Sequence, residues 1–209
     1  MTKIAVFVSG GGTNLQALLD AQNAGTLGGT IVGVLSSSPG AYALERAKNA
    51  GVPGFVLARG DYESSRAMTA AFTAKAKELG ADLIVLAGFL HILTEEIVAA
   101  YPNAILNVHP ALIPAFCGAG CYGLHVHEKV LARGVKITGA TVHFVNEEPD
   151  GGPIVLQKAV AVLHGDTPEV LQKRVMEQAE HLILPEAVRL FCAGRLTVAG
   201  RTVIIKEVQ

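Results

Sequence analysis

Lys3-Ile4-Ala5-Val6-Phe7-Val8-Ser9-Gly10-Gly11-Gly12-Thr13-Asn14-Leu15 carries the chain from an apolar run through a glycine turn into an amphipathic stretch. The run from Ile4 to Val8 does not alternate with polar residues, so it predicts a strand covered on both faces, as in a parallel sheet flanked by helices. Leu15, Leu18 and Leu19 then share one face of a helix predicted over residues 14–24. The same unit recurs through the first two thirds of the chain. Strands are predicted at 30–35, 54–57, 82–87 and 104–109, with helices at 42–50, 62–79 and 94–100. Beyond them 138–145 alternates, with Ala140, Val142 and Phe144 on one face and Thr141, His143 and Val145 on the other. A turn at Glu148-Pro149-Asp150-Gly151-Gly152-Pro153 leads to a strand at 154–162. A helix over about 167–191, broken at Pro185, and a hairpin through Ala199-Gly200 complete the pattern. The expected fold is α/β: a three-layer, Rossmann-like, mostly parallel twisted sheet with helices on both faces and mixed or antiparallel C-terminal strands.

Composition agrees with one ordinary domain over 1–209, because no repeat or linker interrupts the chain. Half the residues are apolar and 17% are charged, which excludes a disordered chain. Glycine is in surplus, 23 of 209 residues, without the period of collagen. Seventeen basic against eighteen acidic residues leave a net charge of −1, a poor footprint for a nucleic-acid or membrane-surface binder. The longest apolar-plus-glycine run, Leu83 to Leu90, is far short of a membrane span, and the N-terminal run is too short for a signal peptide. Cys117, Cys121 and Cys192 form no paired framework, so a cytoplasmic home is expected.

In open sheets ligands sit at the carboxyl ends of the parallel strands, where Ser9, Gly88 and His109 are all predicted. The turn Ser9-Gly10-Gly11-Gly12-Thr13-Asn14 reads in two ways. Its N–H groups and the helix N-terminus can hold an anion, or it is a tight strand-to-helix turn capped by Thr13 or Asn14. Leu15 stands where the dinucleotide fingerprint needs its third glycine, and no Gly-Lys-Ser/Thr closes a nucleotide-triphosphate loop. A phosphomonoester on a small substrate remains.

Asn107 and His109 are two apart on one strand and leave it on the same side, with Pro110 ending the strand. An amide and an imidazole there can stabilise an oxyanion and move protons, or they form a hydrogen-bonded polar strand end. Asp150 either serves its own turn or reaches His109, and in the second case it would favour the imidazolium. Cys117, Cys121, His125 and His127 lie within eleven residues, but their spacing fits no usual metal pattern and no metal is expected.

Taken in order, Ser9-Gly10-Gly11-Gly12-Thr13-Asn14-Leu15-Gln16, Ala87-Gly88-Phe89, Asn107-Val108-His109-Pro110 with Pro114, Asp150-Gly151-Gly152-Pro153-Ile154 and Glu180-His181 with Pro185 resemble the phosphoribosylglycinamide formyltransferase family. The likeness spans nearly the whole chain. It implies transfer of a formyl group from 10-formyltetrahydrofolate, as co-substrate, to the amine of glycinamide ribonucleotide. It also implies no metal and no nucleic-acid or membrane partner, and a monomer or homodimer. By the same likeness Asn107, His109 and Asp150 form the catalytic trio. Gly11, Gly12, Thr13, Asn14, Arg66 and Glu180 would bind the ribonucleotide. Phe89, Leu90, His91, Ile92, Leu93, Asn107 and Glu147 would bind the folate. Asp150 and His125 would support proton transfer, with His125 near the phosphate or at the cap of the following helix. Residues 1–100 would then form the phosphate-binding half and 101–209 the catalytic and folate-binding half.

The chain departs from the common family pattern at Ala111, His91 and Leu184. It also departs in a longer segment, Ala115-Phe116-Cys117-Gly118-Ala119-Gly120-Cys121-Tyr122-Gly123, which lacks the usual lysine. Rival readings are a formyltetrahydrofolate hydrolase, expected to carry a further N-terminal domain, and a transfer-RNA formyltransferase, expected to carry a basic C-terminal one. A non-catalytic nucleotide-binding module would need the glycine loop but not Asn107, His109 and Asp150 together.

Overall fold

A computed structural model describes residues 1–207. Its strands are β1 (Thr2–Val8), β2 (Gly29–Ser36), β3 (Gly54–Val56), β4 (Leu83–Leu86), β5 (Ile105–His109), β6 (Ile137–Phe144), β7 (Ile154–Ala161), β8 (Leu196–Ala199) and β9 (Thr202–Ile205). The helices are α1 (Thr13–Asn23), α2 (Ala43–Asn49), α3 (Ser65–Glu78), α4 (Glu95–Ala100), α5 (Leu124–Arg133), α6 (Pro168–Val175) and α7 (His181–Cys192). All nine strands join one sheet in the order β3-β2-β1-β4-β5-β6-β7-β9-β8. The first five are parallel, whereas β6 runs antiparallel to both β5 and β7.

The unbroken apolar runs are explained by two cores, one on each face of the sheet. Ile4, Val6 and Val8 join Leu15, Leu18, Leu184 and Val188 on one face. Ala5 and Phe7 join Met68, Phe72 and Ile97 on the other. There Phe7, Phe72 and Phe89 meet edge to face, with ring centroids 4.9 to 5.7 Å apart. β6 is buried from Thr138 to Phe144, so its alternation separates two covered faces and not core from solvent.

Three boundaries differ from the sequence reading. The helix predicted over 62–79 begins at Ser65, because the Ser64 hydroxyl caps it by accepting from the Ala67 N–H. Residues Arg59–Asp61 ahead of it make a single 3₁₀ turn. The C-terminal helix breaks in a different place. Pro185 lies inside α7, and the irregularity falls earlier, in a π turn at Met176–Glu180. Proline lacks the N–H that would bond back one turn, and the wider turn lies just ahead of that lost bond. Glu180, expected from the sequence to bind the ribonucleotide, is its last residue. The helix after His125 begins at Leu124, so His125 sits within its first turn rather than before it.

Candidate active site

After β1 the chain builds β2 and β3 on one side and then crosses to start β4 on the other, so the carboxyl ends of β1 and β4 flank a topological switch point. The crevice there is stitched together by Ser9. Its N–H donates to the Gly88 carbonyl at 3.1 Å, and its hydroxyl accepts from the Leu90 N–H at 3.0 Å. A cavity of about 740 Å³ opens at this point, within the range that holds a small organic ligand. Its walls come from residues 10–14, 86–93, 107–110, 118–123 and 145–150, closed on one side by Gln172, Met176 and Glu180.

The glycine turn follows from sterics. Gly12 has φ +71, and a Cβ on it would lie 2.6 Å from that of Ala43, so the turn can pack on α2 only without a side chain. No side chain caps α1, which leaves its leading N–H groups directed at the cavity end of the loop. Asn14, inside the first turn, donates to the Glu180 carboxylate at 2.5 Å, while its own Oδ1 is buried without a partner among the described residues. Burial pushes the Glu180 carboxyl up to about 7 in spite of the Asn14 bond. A buried acid and an unsatisfied amide oxygen thus face the cavity beside an anion-ready helix end.

Asn107, His109 and Asp150 converge. The His109 Nδ1 lies 3.5 Å from Asp150 Oδ2, and its Nε2 bonds the Phe116 carbonyl at 2.8 Å. A carbonyl only accepts, so Nε2 carries the proton and Nδ1 is the nitrogen left to exchange one. Asp150 sits at φ +56, in the left-handed region, where its carboxylate also accepts from the Gly118 N–H at 2.8 Å. Gly152 behind it lies against the Phe144 carbonyl, with no room for a Cβ.

A second imidazole completes the group. In the strand register His143 is the partner of Asn107 across β5 and β6. His143 Nδ1 donates to the Phe144 carbonyl at 2.8 Å, so in the neutral ring Nε2 accepts from the Asn107 amide at 3.1 Å. The same Nε2 lies 3.6 Å from Asp150 Oδ1. Burial works against charge on Asp150, but the His143 and His109 rings, when they carry a second proton, and the Gly118 N–H together hold its carboxyl below the usual range. For His109 the balance goes the other way from the sequence expectation of an imidazolium. Burial depresses it and outweighs the pull of Asp150 and the Phe116 carbonyl, which holds the ring below the ordinary histidine range and favours its neutral form.

The remaining predicted residues divide. Phe89 to Leu93 line the cavity, as does Glu147 from its exposed rim. Burial and then the Arg59 charge hold His91 below the ordinary histidine range. Arg66 is not brought to the cavity; it is 69% exposed on α3 and pairs with Glu95 and Glu96. The cation at the glycine turn is instead Arg46, whose Nε donates to the Gly11 carbonyl at 2.8 Å. His125 points away to Glu128 at 2.9 Å, while His127, two residues on, is fully buried in the cavity wall and depressed to about 4 by burial and the nearby His109. The sequence reading weighed His127 only as a metal ligand and His143 as a hydrogen-bonded interior residue, and placed neither in the site. The β5–β6 register that exposes the role of His143 cannot be read from either strand alone. Among the described residues no three His, Cys, Asp or Glu side chains gather as a metal-holding group.

A family model described as formyl transferase matches residues 2–188. The chain is 41% identical over 196 residues to the phosphoribosylglycinamide formyltransferase of Haemophilus influenzae, covering 94% of this chain and 90% of that one. It is 40% identical over 195 residues to the chloroplastic phosphoribosylglycinamide formyltransferase of Arabidopsis thaliana, covering 93% of this chain and 66% of that protein. It spans only about a fifth of the trifunctional purine biosynthetic proteins of vertebrates that it also matches. Among solved structures, glycinamide ribonucleotide transformylase 1 from Symbiobacterium toebii superposes with a TM-score of 0.94 at 45% identity, over 99% of this chain and 95% of that chain.

Proposed function

The chain belongs to the formyl transferase family, and from that premise we propose that it transfers the formyl group of 10-formyltetrahydrofolate to the amine of glycinamide ribonucleotide, in purine synthesis. The observation that carries this reading is the convergence of Asn107, His109 and Asp150 at the end of β5, within the same cavity as the glycine turn and Glu180. In this reading the turn and α1 N-terminus hold the substrate phosphate through backbone N–H groups, and the Glu180 carboxyl and Asn14 engage its polar groups. The apolar wall from Phe89 to Leu93 and the rim at Glu147 fit a flat, extended co-substrate that supplies the formyl carbon.

The side chains divide the chemistry. His143 uses one amide hydrogen of Asn107 and orients it, which leaves the second free to donate to the oxygen that becomes negative. His109 begins neutral, so its Nδ1 can take up a proton as the amine attacks. The imidazolium then forms against the ionised Asp150, where the new charge is paired as it appears. Passing that proton to the leaving nitrogen restores the resting state. The family likeness also carries a cytoplasmic monomer or homodimer, and a division into a phosphate-binding half at 1–100 and a catalytic half at 101–209. Glu180 departs from that division, because it reaches the phosphate end of the cavity from the second half.

The test is an assay of formyl transfer from 10-formyltetrahydrofolate to glycinamide ribonucleotide, with formate release followed in parallel. Transfer that depends on the ribonucleotide supports the reading. Formate release without transfer assigns the chain to hydrolysis instead.

A further inference from the structure

The longer loop that sets this chain apart carries two thiols, and its backbone holds the catalytic side chains. Cys117 and Cys121 are both free and half-buried, on either side of a turn closed by the Cys121 N–H on the Gly118 carbonyl at 3.0 Å. Gly118 and Gly120 have φ +80 and +74, so the turn folds back on itself. The closed turn keeps the Cα atoms of Gly118 and Cys121 within about 7 Å, and Cys117 is the residue next to Gly118. Cys121 lines the catalytic cavity, and the Lys129 ammonium lies 3.2 Å from its sulfur, against the negative charge that sulfur carries when it attacks. Cys117 points elsewhere, donating to the Pro114 carbonyl at 3.2 Å.

The two peptide units flanking the Cα of Cys117 are the ones that grip the catalytic pair. The Phe116 carbonyl, in the peptide before it, accepts from His109, and the Gly118 N–H, in the peptide after it, donates to Asp150. The Cys117 side chain now points to Pro114, so a bond to Cys121 has to draw the Cα of Cys117 across, and with it the two peptide units joined there.

We propose that Cys117 and Cys121 are a thiol–disulfide exchange pair, oxidised by a low-molecular-weight disulfide, whose closure withdraws the loop from His109 and Asp150 and stops turnover. The Cys121 thiolate attacks one sulfur of the small disulfide, whose S–S bond breaks and releases one thiolate. Cys117 then gives up its proton, attacks the Cys121 sulfur of the mixed disulfide and displaces the second small thiolate. Both released thiolates take protons from solvent. Two electrons leave the protein thiols, and the small disulfide becomes two thiols. The effect on turnover rests on the formyl-transfer reading; the thiol chemistry does not.

The experiment exposes the reduced full-length protein to oxidised glutathione and follows intact and peptide masses, free thiols and formyl transfer. The expected result is loss of two hydrogens in the peptide holding Cys117 and Cys121, one free thiol remaining at Cys192, and a fall in turnover on the order of 10²-fold. Dithiothreitol should restore the activity. Cys117→Ser should stop at a stable glutathione adduct on Cys121, and Cys192→Ser should respond as the wild type does, each compared with its own untreated sample. Thiols that stay reduced, or glutathione adducts that never resolve to a disulfide in the wild type, overturn the pair. A disulfide that forms without slowing turnover overturns its link to the catalytic residues. If the reduced protein shows no formyl transfer, that failure belongs to the functional reading, and the masses still decide the thiol pair.

Discussion

Asp150 occupies a constrained position in the site, a non-glycine residue at φ +56 whose carboxylate faces two imidazoles and a backbone N–H. Strained backbone of this kind persists where the surroundings over-determine it, and it gathers at functional sites. Asp150→Asn is expected to fold with an unchanged melting temperature and to lose roughly 10²- to 10⁴-fold in kcat. Near-normal turnover would remove Asp150 from proton transfer. Asn107→Ala removes the proposed oxyanion donor and should lower kcat by about 10²- to 10³-fold, with a smaller change in KM. Glu180 makes a prediction about stability. Its pKa rises from 4.5 in the open chain to about 7 when folded, so between these values the folded state alone keeps the proton. Stability is therefore fully present below about pH 4.5, declines as pH rises toward 7, and levels off above, by as much as about 3 kcal/mol. Urea unfolding of Glu180→Gln and wild type at pH 5 and pH 8 should show the variant relatively more stable at pH 8, and equal differences at both would refute the assignment. At this scale the sequence showed Asn107 and His109 as a same-side pair, but not that the His109 pKa lies below the ordinary range. Burial decided that, and burial is a property of the whole packing.

At the scale of elements, the glycine turn and the π turn aim the site. Gly12→Ala places a Cβ against Ala43 in a backbone region that alanine avoids. A cost of about 1–3 kcal/mol is expected, together with a rise in KM for the ribonucleotide that exceeds the change in kcat. Thermal melts and steady-state kinetics check both, and an unchanged KM would separate the turn from phosphate binding. Strand and helix positions in the first half were legible because unbroken apolar runs and leucine spacing report burial directly. The break in the C-terminal helix was not, since proline marks a missing N–H without saying where the chain will absorb it. Arg66 and Arg46 illustrate the same limit: each is a cation on a helix, and only the packing of α2 on the glycine turn makes Arg46 the one that grips it.

In the whole molecule, two cores press one sheet between helical layers, and the site lies at its switch point, away from the centre of either. Phe72→Ala opens the core at the Phe7–Phe72–Phe89 cluster and should destabilise by about 3–5 kcal/mol. The folded fraction should keep most of its kcat, because Phe7 and Phe72 lie behind the cavity wall; a collapse of kcat in folded protein would show that the cluster positions the wall at Phe89. What the amino-acid sequence determined alone was local and periodic: the strand and helix units, the glycine turn, the same-side pair on β5 and the ordered motifs that carry the family likeness. The tertiary structure decided everything that depends on pairing distant segments. It set His143 opposite Asn107, brought Asp150 to His109, buried Glu180 and His127, turned Arg66 and His125 outward, and tied the Cys117 loop to His109 and Asp150. The physical reason is that propensity and periodicity act over a few residues, whereas strand register, burial and electrostatic environment are sums over neighbours far apart in the chain.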